Sequence, residues 1–199
     1  PSGSRAALSA VRQESSFIMP DRHPSKSQLR QDMRRRRQAL EPLSQRAAAA
    51  AATNHLTHLP AWPGARRIAL YLANDGEVDT GPLTARCRHS GKQLFLPLID
   101  QQNLLVFAEW VDGGELLPNR YGIPEPPGGS PRCPAAELDI LVLPLVAWDR
   151  GGGRLGMGGG FYDRALEGIH GPVLVGLAHA LQEVPQVPRD NWDIPLDFV

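Results

Sequence analysis

Residues 139–146 read DILVLPLV, the most apolar strand candidate in the chain, and they lead directly into WDRGGGRLGMGGGFYDR, residues 148–164, with seven glycines. A near-continuous apolar strand has to be covered on both faces, which is the condition of a parallel sheet clad in helices. The flanking sequence repeats the pattern. Residues 67–73 (RIALYLA) and 93–98 (QLFLPL) read as strands on either side of a helix over 82–90, stopped by Gly91. A helix from Phe161 to about Glu167 precedes one more strand over 173–178 (VLVGLA), and a hairpin-like stretch covers 104–110. Residues 121–134 are too rich in proline and glycine for regular structure and read as a loop. The expectation is an α/β fold with a largely parallel sheet, whose ligands collect beyond the carboxyl ends of the strands.

Two helices come first. Ser25 or Ser27 caps a basic helix over 26–40, in which Leu29, Met33 and Leu40 form a thin apolar stripe. An alanine run gives residues 44–58 the highest helix propensity available, and Pro60 and Pro63 close that helix. With 199 residues and neither repeat nor internal linker, the chain reads as a single domain over 26–199. Residues 1–25 lack apolar periodicity and the features of a signal peptide, and read as a leader, disordered or added for expression.

Charge narrows the partners. Lys+Arg and Asp+Glu both total 21, so no global field draws in nucleic acid or an anionic membrane, and any anion is bound locally. Cys87 and Cys133 match no metal spacing and are too few for a disulfide framework, which fits a reducing cytoplasm. No apolar run approaches the roughly 20 residues of a membrane-spanning helix.

The glycine-rich segment has the makings of an anion cradle: glycines admit a phosphate close to the backbone, and the amino end of the next helix points at it. A bare glycine-rich loop is also a common flexible connector, and this one fits neither GxxxxGK[ST] nor GxGxxG cleanly. Arg154 could add a fork of donors. Asp149, where the strand ends, suits either a magnesium ligand or a turn aspartate. Asp163 suits the first turn of a helix on dipole grounds alone. Lys26, Arg30 and Arg34 recur every fourth residue along one helix face, where they could reach a polyphosphate or simply be solvated. Glu77, in NDGEVDT, follows the first strand, and Glu125 sits in the proline-bracketed YGIPEP. The histidines have no third metal-type partner at zinc spacing.

Taken together, KSQLRQDMRRRR, YLANDGEVDT, YGIPEP, DILVLPLVAWDRGGGRLGMGGGFYDR and VGLAHALQ resemble, in order and separation, the 5-formyltetrahydrofolate cyclo-ligase (methenyltetrahydrofolate synthetase) family over residues 26–196. The loop RLGMGGGFYDR is the specific part. The resemblance implies a three-layer α/β/α sandwich and a cytoplasmic monomer. It implies an enzyme that uses ATP and Mg2+ to cyclise 5-formyltetrahydrofolate to 5,10-methenyltetrahydrofolate, releasing ADP and phosphate. The partner would be a reduced folate, with no nucleic acid and no membrane. By the same resemblance ATP phosphates rest on Lys26, Arg30, Arg154, Gly156, Gly158, Gly159 and Gly160, and magnesium on Asp149, with Asp163 second. The folate falls to Glu77, to Gly122, Ile123, Pro124, Glu125 and Pro126, and to Tyr162. Arg154, Tyr162 and Glu77 would act on the reaction itself.

The chain departs from the family pattern at Leu145, where glycine is usual, at Trp148 for phenylalanine, and at Met157, Gly159 and Trp192. Two other readings use the same residues: a different ATP-dependent kinase or transferase, and a polyanion- or RNA-binding module on the arginine-rich helix. Zero net charge and missing aromatic RNA-binding signatures count against the second.

Overall fold

The computed structural model describes residues 24–120 and 122–199. The leader read over 1–25 lies outside the described residues except for Pro24 and Ser25, and so does Tyr121 of the YGIPEP segment. In chain order the main elements are α1 (Lys26–Gln38), α2 (Pro42–Thr57), β1 (Arg67–Ala69), α3 (Gly81–His89), β2 (Gln93–Ile99) and β3 (Leu105–Glu109). There follow β4 (Leu117–Pro118), β5 (Pro124–Glu125), β6 (Arg132–Cys133), β7 (Ile140–Pro144), β8 (Ala147–Trp148), β9 (Arg154–Leu155), α4 (Phe161–Leu166) and β10 (Val173–Leu177).

Six strands form one sheet in the order β10-β7-β1-β2-β3-β6. The first four run parallel; β3 turns back antiparallel on β2, and β6 is antiparallel to β3. The chain moves outward from β1 through β2 to β3, then returns to β7 on the other side of β1. That reversal leaves a crevice beyond the carboxyl ends of β1 and β7.

The period of two along each strand sorts the core into two halves. Ile68, Leu70, Leu94, Leu96, Ile140 and Val142 pack against Ala49 and Leu56 of α2 and Leu83 and Cys87 of α3. The alternate residues Ala69, Phe95, Leu141 and Leu143 meet Phe107, Leu166 of α4 and Leu196 near the carboxyl terminus. Three layers result. Each fully buried leucine or isoleucine contributes about 1.5–3 kcal/mol relative to exposure, which is why β7 carries no polar face. The unusual Leu145 is accommodated from across the core: a Cβ on Gly176 would lie 2.6 Å from its Cδ2.

Three expectations shift. The strand expected over 67–73 ends at Ala69, with Leu70 N still donating to Phe95 O at 3.0 Å, because the turn after it folds back: Tyr71 Oη donates to Val78 O at 2.9 Å and Thr80 Oγ1 to Tyr71 O at 2.6 Å. The proline-rich passage holds the short pairings of β5 with β4 and of β6 with β3. On α1, capped by Ser25, the buried stripe is Leu29, Met33 and Arg37, whereas Leu40 lies beyond the helix and is only partly covered. Leu29 and Met33 dock on Val146, Ala147, Leu155 and Val187, which seats α1 across the crevice.

Candidate active site

A cavity of about 630 Å³ opens at the carboxyl ends of β1, β2 and β7. It is lined by Lys26 and Arg30 of α1, Arg154 of β9 and the glycine loop from Gly156 to Gly160. Glu77, Tyr162, Ile123–Pro124–Glu125 and the apolar Leu96, Ile99 and Leu105 line it as well.

The cationic wall is pre-built. Arg30 Nε donates to Gly156 O at 2.8 Å, stitching α1 to the glycine loop. Gly158 has φ +103, and a Cβ there would stand 3.3 Å from Arg30 Cζ, so the loop needs glycine for both conformation and clearance. Gly160 (φ +61) caps α4 in the left-handed region. The Arg154 side chain is 4% exposed; its Nη2 donates to Asp163 Oδ1 at 2.7 Å, and its Nε is buried with no partner among the described residues. A buried, unsatisfied charged donor facing a cavity is the mark of a missing acceptor. Lys26 Nζ lies 2.7 Å from Asp190 Oδ2 and 3.0 Å from Asp193 Oδ2. Burial works against its charge, but those two carboxylates outweigh it and raise its pKa.

Asp149 has a different task from the magnesium ligand expected. Its Oδ1 accepts from Gly151 N (2.9 Å), Gly153 N (3.0 Å) and Arg189 Nη2 (2.7 Å), and its Oδ2 from Val187 N (2.9 Å). It is 4% exposed and outside the cavity wall. With both oxygens filled by donors, Asp149 does not fit a cation; it ties the first glycine turn to the carboxyl-terminal segment. Asp163 does line the cavity, its Oδ1 shared by Arg154 and the Ile194 N–H at 3.2 Å.

Glu77 Oε2 accepts from Asn74 N at 3.1 Å, and burial pushes the carboxyl's pKa up. Burial and the nearby Glu77 raise the Tyr162 phenol as well, so it stays protonated. Glu125 Oε2 accepts from Asn119 Nδ2 at 3.0 Å. The expected folate loop divides: Ile123, Pro124 and Glu125 reach the cavity, whereas Gly122 (φ +73) forms the exposed turn before them and Pro126 is buried outside the wall.

Arg34 is diverted too. Instead of joining Lys26 and Arg30, its Nε donates to Asp75 Oδ2 at 2.6 Å, and Asp75 also receives Arg37 and Gln38. Arg34 above all, then Arg37 and Gln38, holds the Asp75 pKa at about 2, against burial that would raise it. The sign follows: this clamp stabilises the fold at pH above the ordinary 3.8 and is lost as pH falls through about 2. Acid titration of unfolding should therefore show Asp75→Asn lacking about 1 kcal/mol of stability at neutral pH, after solvent screening, and converging with the parent below pH 2.

Sequence reasoning passed over Arg37, Asp75, Asn119 and Asp190, and left Trp192 and Asp193 without roles, although Asp190, Trp192 and Asp193 all line the cavity. One signal was available: Arg37 continues the four-residue spacing of Leu29 and Met33, which marks it as buried.

A crevice at a topological switch point, lined by a glycine loop, three cationic side chains and a half-buried carboxylate, defines an α/β protein with a polar ligand pocket. A sequence model of the 5-formyltetrahydrofolate cyclo-ligase family matches residues 22–199, and the chain belongs to that family. It is 38% identical over 176 residues to the 5-formyltetrahydrofolate cyclo-ligase of Haemophilus influenzae, covering 86% of this chain and 94% of that one. It is 39% identical over 172 residues to that of Escherichia coli K12, covering 84% and 94%. The solved structure of Aquifex aeolicus 5,10-methenyltetrahydrofolate synthetase superposes with a TM-score of 0.77 at 34% identity, over 86% of this chain and 87% of that one. The Mycoplasma pneumoniae synthetase, at 22% identity and a TM-score of 0.71 over 88% of this chain and 97% of that one, shares the fold.

Proposed function

We propose that this pocket closes 5-formyltetrahydrofolate to 5,10-methenyltetrahydrofolate at the expense of ATP. The observation that carries the reading is one cavity lined both by Arg154, Lys26, Arg30 and the glycine loop and by Glu77, Tyr162 and Ile123–Glu125. The γ-phosphoryl group passes to the formyl oxygen, leaving ADP. N10 then attacks the formyl carbon and gives up its proton, and the carbon–oxygen bond breaks to expel phosphate. Both nucleophiles belong to the substrate, so the protein has to position the partners and neutralise charge. In this reading the free Nε of Arg154, Lys26, Arg30 and the loop amides surround the phosphates. Glu77 accepts hydrogen bonds from N–H groups of the folate, and the Tyr162 phenol, kept neutral, donates. Magnesium, which offsets phosphate charge when bound, falls to Asp163, because one carboxylate together with phosphate and water oxygens is an ordinary magnesium shell.

The enzyme is proposed to work as a cytoplasmic monomer, since one chain supplies both the cationic and the acidic lining of the cavity. Among the described residues no helix is long and apolar enough to cross a membrane. The deciding experiment mixes the protein with 5-formyltetrahydrofolate, magnesium and ATP and follows the near-ultraviolet band of the methenyl product. An ATP-dependent rise is expected. A folded, ATP-binding protein that gives no rise belongs to a different phosphoryl-transfer reaction. In the same assay Glu77→Gln should raise the folate KM about tenfold, the effect of one lost charge-assisted hydrogen bond, with the ATP KM unchanged.

A further inference from the structure

Arg37 is a fully buried cation that the proposed chemistry does not use. All three of its nitrogens are engaged: Nε donates to Asp75 O (2.8 Å), Nη2 to Asp75 Oδ2 (2.8 Å) and Nη1 to Leu145 O (3.1 Å). Those acceptors follow β1 and β7, the two strands between which the chain reverses. Glu77 Oε1 lies 3.6 Å from the same Nη2. The turn that delivers Glu77 is left-handed at Asp75 (φ +55) and Gly76 (φ +75), and a non-glycine residue holds such a conformation only when its surroundings fix it. Gly76 has to be glycine for a second reason, because a Cβ there would stand 3.1 Å from Arg37 O. A buried charge is costly unless paired and hydrogen-bonded, so an arginine completing the apolar stripe of α1 is there for its fork of donors.

We infer that Arg37 is a positioning residue for Glu77: it fixes the turn that aims the carboxylate into the cavity and supplies the cation that carboxylate faces. The inference rests on the folate reading of Glu77. Among the described residues, the titratable groups around Glu77 are Arg37 from α1, Asp75 on its own turn, Tyr71 beyond β1 and Tyr162 from α4. Arg34 reaches Asp75, and the His179 ring sits 3.1 Å from Gly76 O. Of the four direct neighbours only Arg37 is a cation, and it opposes the burial that raises the Glu77 pKa. Removing it favours the protonated acid, so the acidic limb of folate use moves to higher pH.

The test is steady-state kinetics across pH for Arg37→Met and Arg37→Lys, with KM measured separately for 5-formyltetrahydrofolate and ATP. Arg37→Met should raise the folate KM about tenfold, the scale of one charged hydrogen bond, leave the ATP KM within about twofold, and move the acidic limb upward. Arg37→Lys, which restores the charge without the fork, should keep the limb at its parental pH with the folate KM still raised. A folded Arg37→Met with parental folate KM and parental limb overturns the inference. So does a joint rise of both KM values with the limb unmoved, which is the mark of a merely structural role. Should Arg37→Met not fold, Arg37→Lys decides alone: a raised folate KM beside a normal ATP KM supports the assignment, and a parental folate KM overturns it. Glu77→Gln with a parental folate KM would instead remove the folate reading, a separate failure.

Discussion

Arg154→Met is expected to lower the rate of methenyl formation by about two to three orders of magnitude, the range found when a preorganised donor to developing charge is removed. The basis is the state of its guanidinium: 4% exposed, held by Asp163, and with Nε buried and unpaired. Nothing else on the described protein satisfies that donor, so an incoming phosphate oxygen gains a partner whose desolvation is already accomplished. The loss should fall on kcat more than on the folate KM, because in the proposed reading Arg154 meets the phosphates and Glu77 the folate. Parental rates from Arg154→Met with a native circular dichroism spectrum would rule out this role. Arg154→Lys keeps a charge without the planar fork and should recover only a fraction of the loss.

Asp149→Ala is expected to be costly in a different way, lowering stability by about 3–5 kcal/mol with little bearing on magnesium dependence. Three backbone N–H groups and the Arg189 guanidinium converge on that carboxylate; deletion strips the N–H groups of their acceptor, while Arg189 keeps Gly151 O at 3.0 Å. Asp149→Asn should cost less, since the amide oxygen can still accept some of these bonds. Urea unfolding reads the stability, and a magnesium titration of the residual activity reads the rest. A stable Asp149→Ala with a sharply weakened magnesium response would restore the ligand role that its position at the end of the strand first suggested. The adjacent glycine makes the same point sterically: a Cβ on Gly153 would come 2.4 Å from Asp149 Oδ2.

These two residues mark the boundary of what could be read from the chain. The place of Arg154 in the cavity was legible because it is set locally, by a glycine-rich loop that follows an apolar strand. Asp149 was misplaced because the donors that fill its oxygens include Val187 and Arg189, 38 and 40 residues away. The same holds for α1, a single amphipathic helix by sequence. Its first half faces the glycine loop through Arg30, while its second half, through Arg34 and Arg37, grips the turn of Asp75. Spacing alone put Lys26, Arg30 and Arg34 on one face, but it could not say which of them would meet a carboxylate.

By itself the sequence determined the layered α/β architecture and the glycine loop, because burial periodicity, helix propensity and the φ demands of glycine act within a few residues, and it carried the family in the order and separation of its motifs. Only the tertiary structure decided which acids are free and which are spent, that Gly122 and Pro126 stand back from a cavity that Ile123–Glu125 enter, and that Arg37 is buried behind Glu77. Those outcomes depend on which loops the sheet's reversal between β1 and β7 brings within hydrogen-bond reach, and a hydrogen bond is a matter of a few tenths of an ångström across residues far apart in the chain.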